Sequence, residues 1–159
     1  MIRKITIGFS TSRRWNPMSA LIRWWWNTPY SHVYIKWSTP WEFNEVLEAS
    51  GTSVHMTEYN YWKKKNRVIR ECEFTITRDQ FNRIMKEIRS LTGHPYGWLQ
   101  ALGIAIAEIF RLRNNPLGNG SRQFVCSEIG LKLFEILEIK TDLDHDLVSP
   151  SDLWDLLNK

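Results

Sequence analysis

Cysteine is scarce in this chain of 159 residues, which has only Cys72 and Cys126. Two thiols so far apart make no disulfide framework and fit no zinc-ligand spacing. Long apolar runs are also missing. The longest mostly apolar stretch, Trp98 to Ile106, runs on into Glu108 and falls far short of the roughly 20 residues a membrane span needs. The chain does not open on a basic segment followed by a secretory apolar run. Together these absences lead to the expectation of a soluble, cytoplasmic protein in a reducing compartment. Charge of one sign is nowhere concentrated beyond Lys63, Lys64 and Lys65, read as a solvated turn beside Tyr61 and Trp62. A net charge of +4, spread along the chain, permits weak contact with an anionic membrane and predicts no specific nucleic-acid partner. Internal repeats and low-complexity tracts are lacking too, so residues 1–159 read as one domain.

Tryptophan, by contrast, is abundant, with nine residues. Trp24, Trp25 and Trp26 are consecutive and cannot all face one way on a helix. They form either an apolar wall beside a substrate or a packed helix face with one ring exposed. The apolar and charged fractions, 43% and 24%, are those of an ordinary globular protein.

Periodicity divides the chain. Ile5, Ile7 and Phe9 alternate with Thr6 and Gly8 as in a half-buried strand. Asn16-Pro17 supplies a cap and a first-turn proline for a helix bearing Met18, Leu21, Ile22, Trp25 and Trp26. In Ser31–Trp37, Val33, Ile35 and Trp37 share one strand face; His32, Tyr34 and Lys36 share the other. After a loop containing Pro40, strands are expected at Glu45–Ser50, Ser53–Met56 and Val68–Ile76. The last puts Val68, Cys72, Phe74 and Ile76 on one side. Thr77-Arg78-Asp79-Gln80 is a capping box opening a helix. Further helices are expected from Trp98 to about Leu112, from Cys126 to about Glu138, and after Ser149-Pro150-Ser151-Asp152. A polar, glycine-rich loop spans Asn114 to Gly120. Strands first and helices later argue for an α+β fold, an antiparallel sheet packed against helices.

The two cysteines differ in setting. Cys72 lies on the apolar side of its strand and is expected in the core. Cys126 follows the glycine-rich loop and opens a helix. There the unpaired amides and the helix dipole favour thiolate and can accept an oxyanion. A thiolate needs a base, and His32 stands on the strand face that the core does not use. Glu48 is the candidate to orient the ring. In an antiparallel hairpin it falls opposite Tyr34 and diagonal to His32, provided the register is right. The other histidines carry plainer expectations. His55 is a strand-surface residue, and His94 lies in a turn before Pro95. His145 sits in a solvated acidic loop with Asp142, Asp144 and Asp146, so no metal is expected.

Tyr30-Ser31-His32-Val33-Tyr34-Ile35, Glu48-Ala49, Tyr96-Gly97-Trp98, Phe124-Val125-Cys126-Ser127-Glu128 and Ser149-Pro150-Ser151-Asp152-Leu153 resemble the permuted NlpC/P60 family. This is the YiiX/YaeF-like branch of the papain-like cysteine hydrolases, in which the histidine strand precedes the cysteine helix. The resemblance implies a circularly permuted papain-like fold and a catalytic triad of Cys126, His32 and Glu48. It implies a covalent acyl-enzyme and no cofactor. Tyr34, Tyr96 and Ser127 are candidates for lining the substrate site, although Tyr96 can equally pack and Glu128 can simply tie its helix to a neighbouring strand. The implied substrate is a peptide, an amide or an acyl compound such as an ester or thioester. The competing reading is an idle binding module on the same fold for anionic lipid or single-stranded nucleic acid.

Overall fold

A computed structural model describes residues 3–38, 43–118 and 123–158. Pro40 and the end of the expected glycine-rich loop lie outside the described residues. Alternating apolar side chains build five strands: β1 (Arg3–Ser12), β2 (His32–Ser38), β3 (Asn44–Ser50), β4 (Ser53–Glu58) and β5 (Asn66–Ile76). They form one antiparallel sheet in the order β4-β3-β2-β1-β5. The helices among the described residues are α1 (Pro17–Trp26), α2 (Tyr59–Lys65), α3 (Arg78–Leu91), α4 (Trp98–Phe110), α5 (Cys126–Ile136) and α6 (Pro150–Leu156). The architecture is α+β, as the division of periodicities predicts. No helix among the described residues is long and apolar enough to cross a membrane.

One sheet face carries the main core. Ile5, Ile7, Phe9, Val33, Ile35, Trp37, Leu47 and Ala49 meet Ile84 and Ile88 of α3, Ile129 and Leu133 of α5, and Leu153 of α6. Tyr30 stacks on Trp154 at 4.6 Å between centroids, and Phe9 meets the same ring edge-on. These contacts fasten α6 beneath the start of β2. The capping boxes of Thr77 and Ser149 are both formed.

The opposite face holds a smaller cluster of Tyr34, Val46 and Trp62. Here the structure corrects the sequence reading. Lys63–Lys65 are not a turn but the last residues of α2, whose N-cap Glu58 accepts hydrogen bonds from the Asn60 and Tyr61 amides. The Trp62 ring packs 4.3 Å from Tyr34 between centroids, and the lysines remain exposed. Seven residues carry too little periodicity to declare a helix; the buried Trp62 holds it in place. Gly8 leaves the space that Tyr34 fills, since a Cβ there would lie 2.1 Å from Tyr34 Cζ. Val68 is a second correction. A register shift between Phe9 and Ser10 against Arg70 and Val68 inserts one extra residue into β5 and reverses the pleat beyond it. Val68 therefore joins Tyr34 and Trp62, while Phe74 stays with the main core. Cys72 is half-buried rather than enclosed, because β5 is an edge strand.

The long helices end slightly before the expected positions. Arg111 and Glu138 adopt left-handed backbone (φ 52° and 60°), closing α4 at Phe110 and turning the chain after α5.

Candidate active site

Cys126 is the first residue of α5, and its N-cap, Val125, makes no side-chain cap. The amides of the first turn are therefore not consumed by a neighbouring side chain. Gly130 lets α5 lie close on β2, for a Cβ at that position would be 2.6 Å from Leu153 Cδ1 and 3.3 Å from Val33 Cγ1. That approach carries the sulfur to the end of β2, where the nearby Val33 and Ser127 amides favour its charged form. Cys126 is 5% exposed.

His32 is the first residue of β2, so its ring reaches past the end of the pleat. Its Nε2 lies 2.9 Å from Glu48 Oε2, and its remaining side faces the Cys126 thiol. The register anticipated from the hairpin is the one observed, with Glu48 across from Tyr34. On its other side Glu48 pairs with His55 of β4, whose Nε2 is 3.3 Å from Glu48 Oε1. His55 was expected to be a plain surface residue. It is instead a second imidazole on the same carboxylate, with Nδ1 placed 3.1 Å from the Ser53 carbonyl. Both of its ring nitrogens face acceptors, an arrangement that favours the protonated ring. The sequence signal was available in the alternation of β4, but only the β3–β4 register tells which residue meets Glu48.

The electrostatics follow from this chain of contacts. Burial alone pushes the His32 pKa down, but the sulfur of Cys126 and then Glu48 outweigh it and raise it well above the ordinary imidazole value. Burial likewise pushes the Cys126 thiol up. The charge and hydrogen bond of His32, with the two backbone amides, pull it below its ordinary value. Glu48 is buried, which opposes ionisation, yet hydrogen bonds from His32 and His55 hold it far below the usual carboxylate range. The buried Trp62 indole N–H makes no hydrogen bond among the described residues but lies close enough to add slightly to that lowering. His55 is raised, first by its hydrogen bond to Glu48. Each direction favours the charged form of its group: thiolate, imidazolium and carboxylate.

The ring opens on a cleft of about 330 Å³ with a mixed lining, whose polar walls include Asn16, Ser31, His32, Glu48 and His55 and whose apolar ones include Met18, Ile22 and Trp98. Tyr96, placed by its bridge to Phe124, borders this cleft and is close enough to Cys126 that burial and the sulfur's charge both raise its pKa. Of the three residues considered for lining the substrate site, Tyr96 is at the cleft and Tyr34 is not. The Tyr34 ring is buried under Trp62, and its hydroxyl donates to Glu71 at 2.7 Å. Alternation puts Tyr34 on the His32 face, but α2 covers that part of the face. The Ser127 hydroxyl is also committed, donating to the Val148 carbonyl at 2.7 Å. Glu128 ties α5 to helix α4 rather than to a strand, accepting from Gln100 Nε2 at 3.2 Å. Burial raises its pKa to about 7.

His94 lies edge-on to Phe124 in the turn before Pro95. His145 contacts Glu135 Oε1 at 2.7 Å. Among the described residues no group of three or more His, Cys, Asp and Glu side chains is placed to hold a metal ion. No protein-family model and no curated protein matches this chain.

Proposed function

We propose that the protein is a cysteine hydrolase or acyltransferase of the permuted papain-like type, acting on an ester, thioester or amide carbonyl. The observation that carries this reading is the line from the buried Cys126 thiol through the His32 ring to Glu48, with the ring and the carboxylate lining a cleft. A resident ion pair of this kind is what a thiol nucleophile needs before substrate arrives. The element order, histidine strand before cysteine helix, supports the permuted arrangement.

In the proposed reaction the Cys126 thiolate attacks the carbonyl carbon, forming an S–C bond and an oxyanion. The first-turn amides of α5 lie where that charge develops. On collapse the bond to the leaving group breaks, and the leaving group takes the proton from the His32 imidazolium. His32 then accepts a proton from water or another acceptor, which attacks the thioester. The new bond to carbon forms, the S–C bond breaks, and the thiolate is restored. Glu48 keeps the ring oriented and its positive charge favourable throughout.

Alkylation with iodoacetamide at about pH 6 tests the reading, with Cys72 as an internal reference on the same molecule. Preferential modification of Cys126 is expected. Equal or slower reaction at Cys126 than at Cys72 refutes the activated thiolate. A binding module gains less from the surface: the Tyr59 and Tyr61 rings, free to stack in that reading, are already faced by Lys63 and Lys65 of their own helix.

A further inference from the structure

The sulfur borders a space of different character from the cleft beside His32. A groove of about 210 Å³ runs between α1 and α4, walled by Met18, Ile22, Trp25, Trp26, Ala101 and Ala105, and it reaches Cys126 at its inner end. Apart from the Cys126 sulfur at that end, none of the side chains lining it is ionisable to an acid or a base near neutral pH. Its polar lining atoms are mostly spoken for. Ser127 Oγ donates to Val148, and Ser149 Oγ is bonded to Asp152. The Trp25 and Trp26 indole nitrogens both donate to Glu108 of α4, at 3.4 and 2.6 Å. That shared carboxylate holds the tryptophan wall against α4. Leu21, Leu102 and Ile109, each about half exposed, keep the mouth apolar.

Resting on the proposed thiol chemistry, we infer that this groove holds the alkyl chain of a fatty-acyl substrate, while the cleft beside His32 receives the leaving group. A peptide segment in the groove would bury amides with nothing to pair them, a cost of about 1–3 kcal/mol each, whereas an alkyl chain asks for no partner. Length fits as well. A water's share of liquid volume is about 30 Å³ and a methylene group is of similar size, so the groove takes roughly seven methylenes. Tyr96, Met18 and Ile22 border both spaces, and the carbonyl sits at the end of the groove that Cys126 lines. The acyl half therefore ends as a thioester on Cys126 with its tail between α1 and α4. The bond from the carbonyl to the leaving group breaks, and the leaving group departs on the cleft side with the proton of His32.

The test uses the full chain with p-nitrophenyl acetate and p-nitrophenyl octanoate, following nitrophenolate release and the acyl adduct on Cys126 by intact mass. Burial of each methylene is worth up to about fourfold, so burying about half of the six that octanoate adds gives it a kcat/KM on the order of 100-fold higher than acetate. Ala105→Phe, which fills the groove, lowers that ratio by about tenfold or more. Acylation of Cys126 by both esters with a ratio under about fivefold overturns the groove assignment and leaves the thiol mechanism standing. No adduct on Cys126 from either ester overturns the mechanism and the groove assignment with it.

Discussion

Replacing His32 by alanine isolates the interaction on which the chemistry turns. In the native protein the imidazolium is the largest influence opposing the burial that would otherwise raise the Cys126 thiol. Without it the sulfur keeps its burial and loses its counter-charge, so its pKa returns at least to the ordinary value. At about pH 6 a thiol with pKa near 8.5 is only about 0.3% thiolate. Each unit by which the His32 charge lowers the sulfur's pKa raises that fraction about tenfold at first, while a Brønsted slope of about 0.4–0.5 takes back roughly threefold in intrinsic nucleophilicity. The net expectation is a fall of about tenfold in the rate of Cys126 alkylation at about pH 6. The pH profile adds a signature. In His32→Ala the rate climbs about tenfold per pH unit up to at least pH 8.5, while the native protein is already reactive below that range. Intact-mass kinetics with iodoacetamide read both, Cys72 labelling serves as the reference, and circular dichroism verifies the fold. Glu48 keeps His55 as a partner in this variant, which limits the structural damage. A drop smaller than about threefold, with the fold intact, refutes the ion pair.

Three further outcomes follow from the same contacts. Glu48 has a lowered folded pKa, so its stabilisation is present above the unfolded value of about 4.3 and is lost as pH falls through the folded one. Glu48→Gln should be about 3 kcal/mol less stable at neutral pH in urea titrations, and that deficit should shrink on acidification below about pH 4. Glu128 has the opposite sign, being raised to about 7. Native stability should fall by on the order of 2 kcal/mol as pH rises from about 4.5 to 7.5, and Glu128→Gln should remove most of that slope. Gly130→Val places atoms against Leu153 and Val33. It should cost about 1–3 kcal/mol by thermal denaturation and slow Cys126 alkylation, because the helix start moves off the ring.

Several features were legible one residue at a time. Strand alternation fixed which side of Ser31–Trp37 holds Val33 and which holds His32, since a pleat has a strict period of two. The caps at Asn16, Thr77 and Ser149 are local signals, and each is formed. The pairing of Glu48 with Tyr34 was reachable from hairpin geometry alone. Other features depend on partners distant in sequence. Tyr34 shares the face of His32, yet α2 buries it. Val68 shares the parity of Phe74, yet one inserted residue turns it over. His55 looked ordinary until β4 was set in register beside β3.

By itself, then, the sequence determined the secondary elements, the α+β division and the separate credentials of a helix-start thiol and an off-core imidazole. These are properties of neighbours along the chain, governed by backbone periodicity and capping. Only the tertiary structure decided that Cys126 and His32 meet, because their encounter depends on how closely α5 settles on β2, which Gly130 permits. It also decided that the His32 ring opens on a cleft with polar groups while the sulfur borders an apolar groove, since each wall is assembled from elements separated by most of the chain.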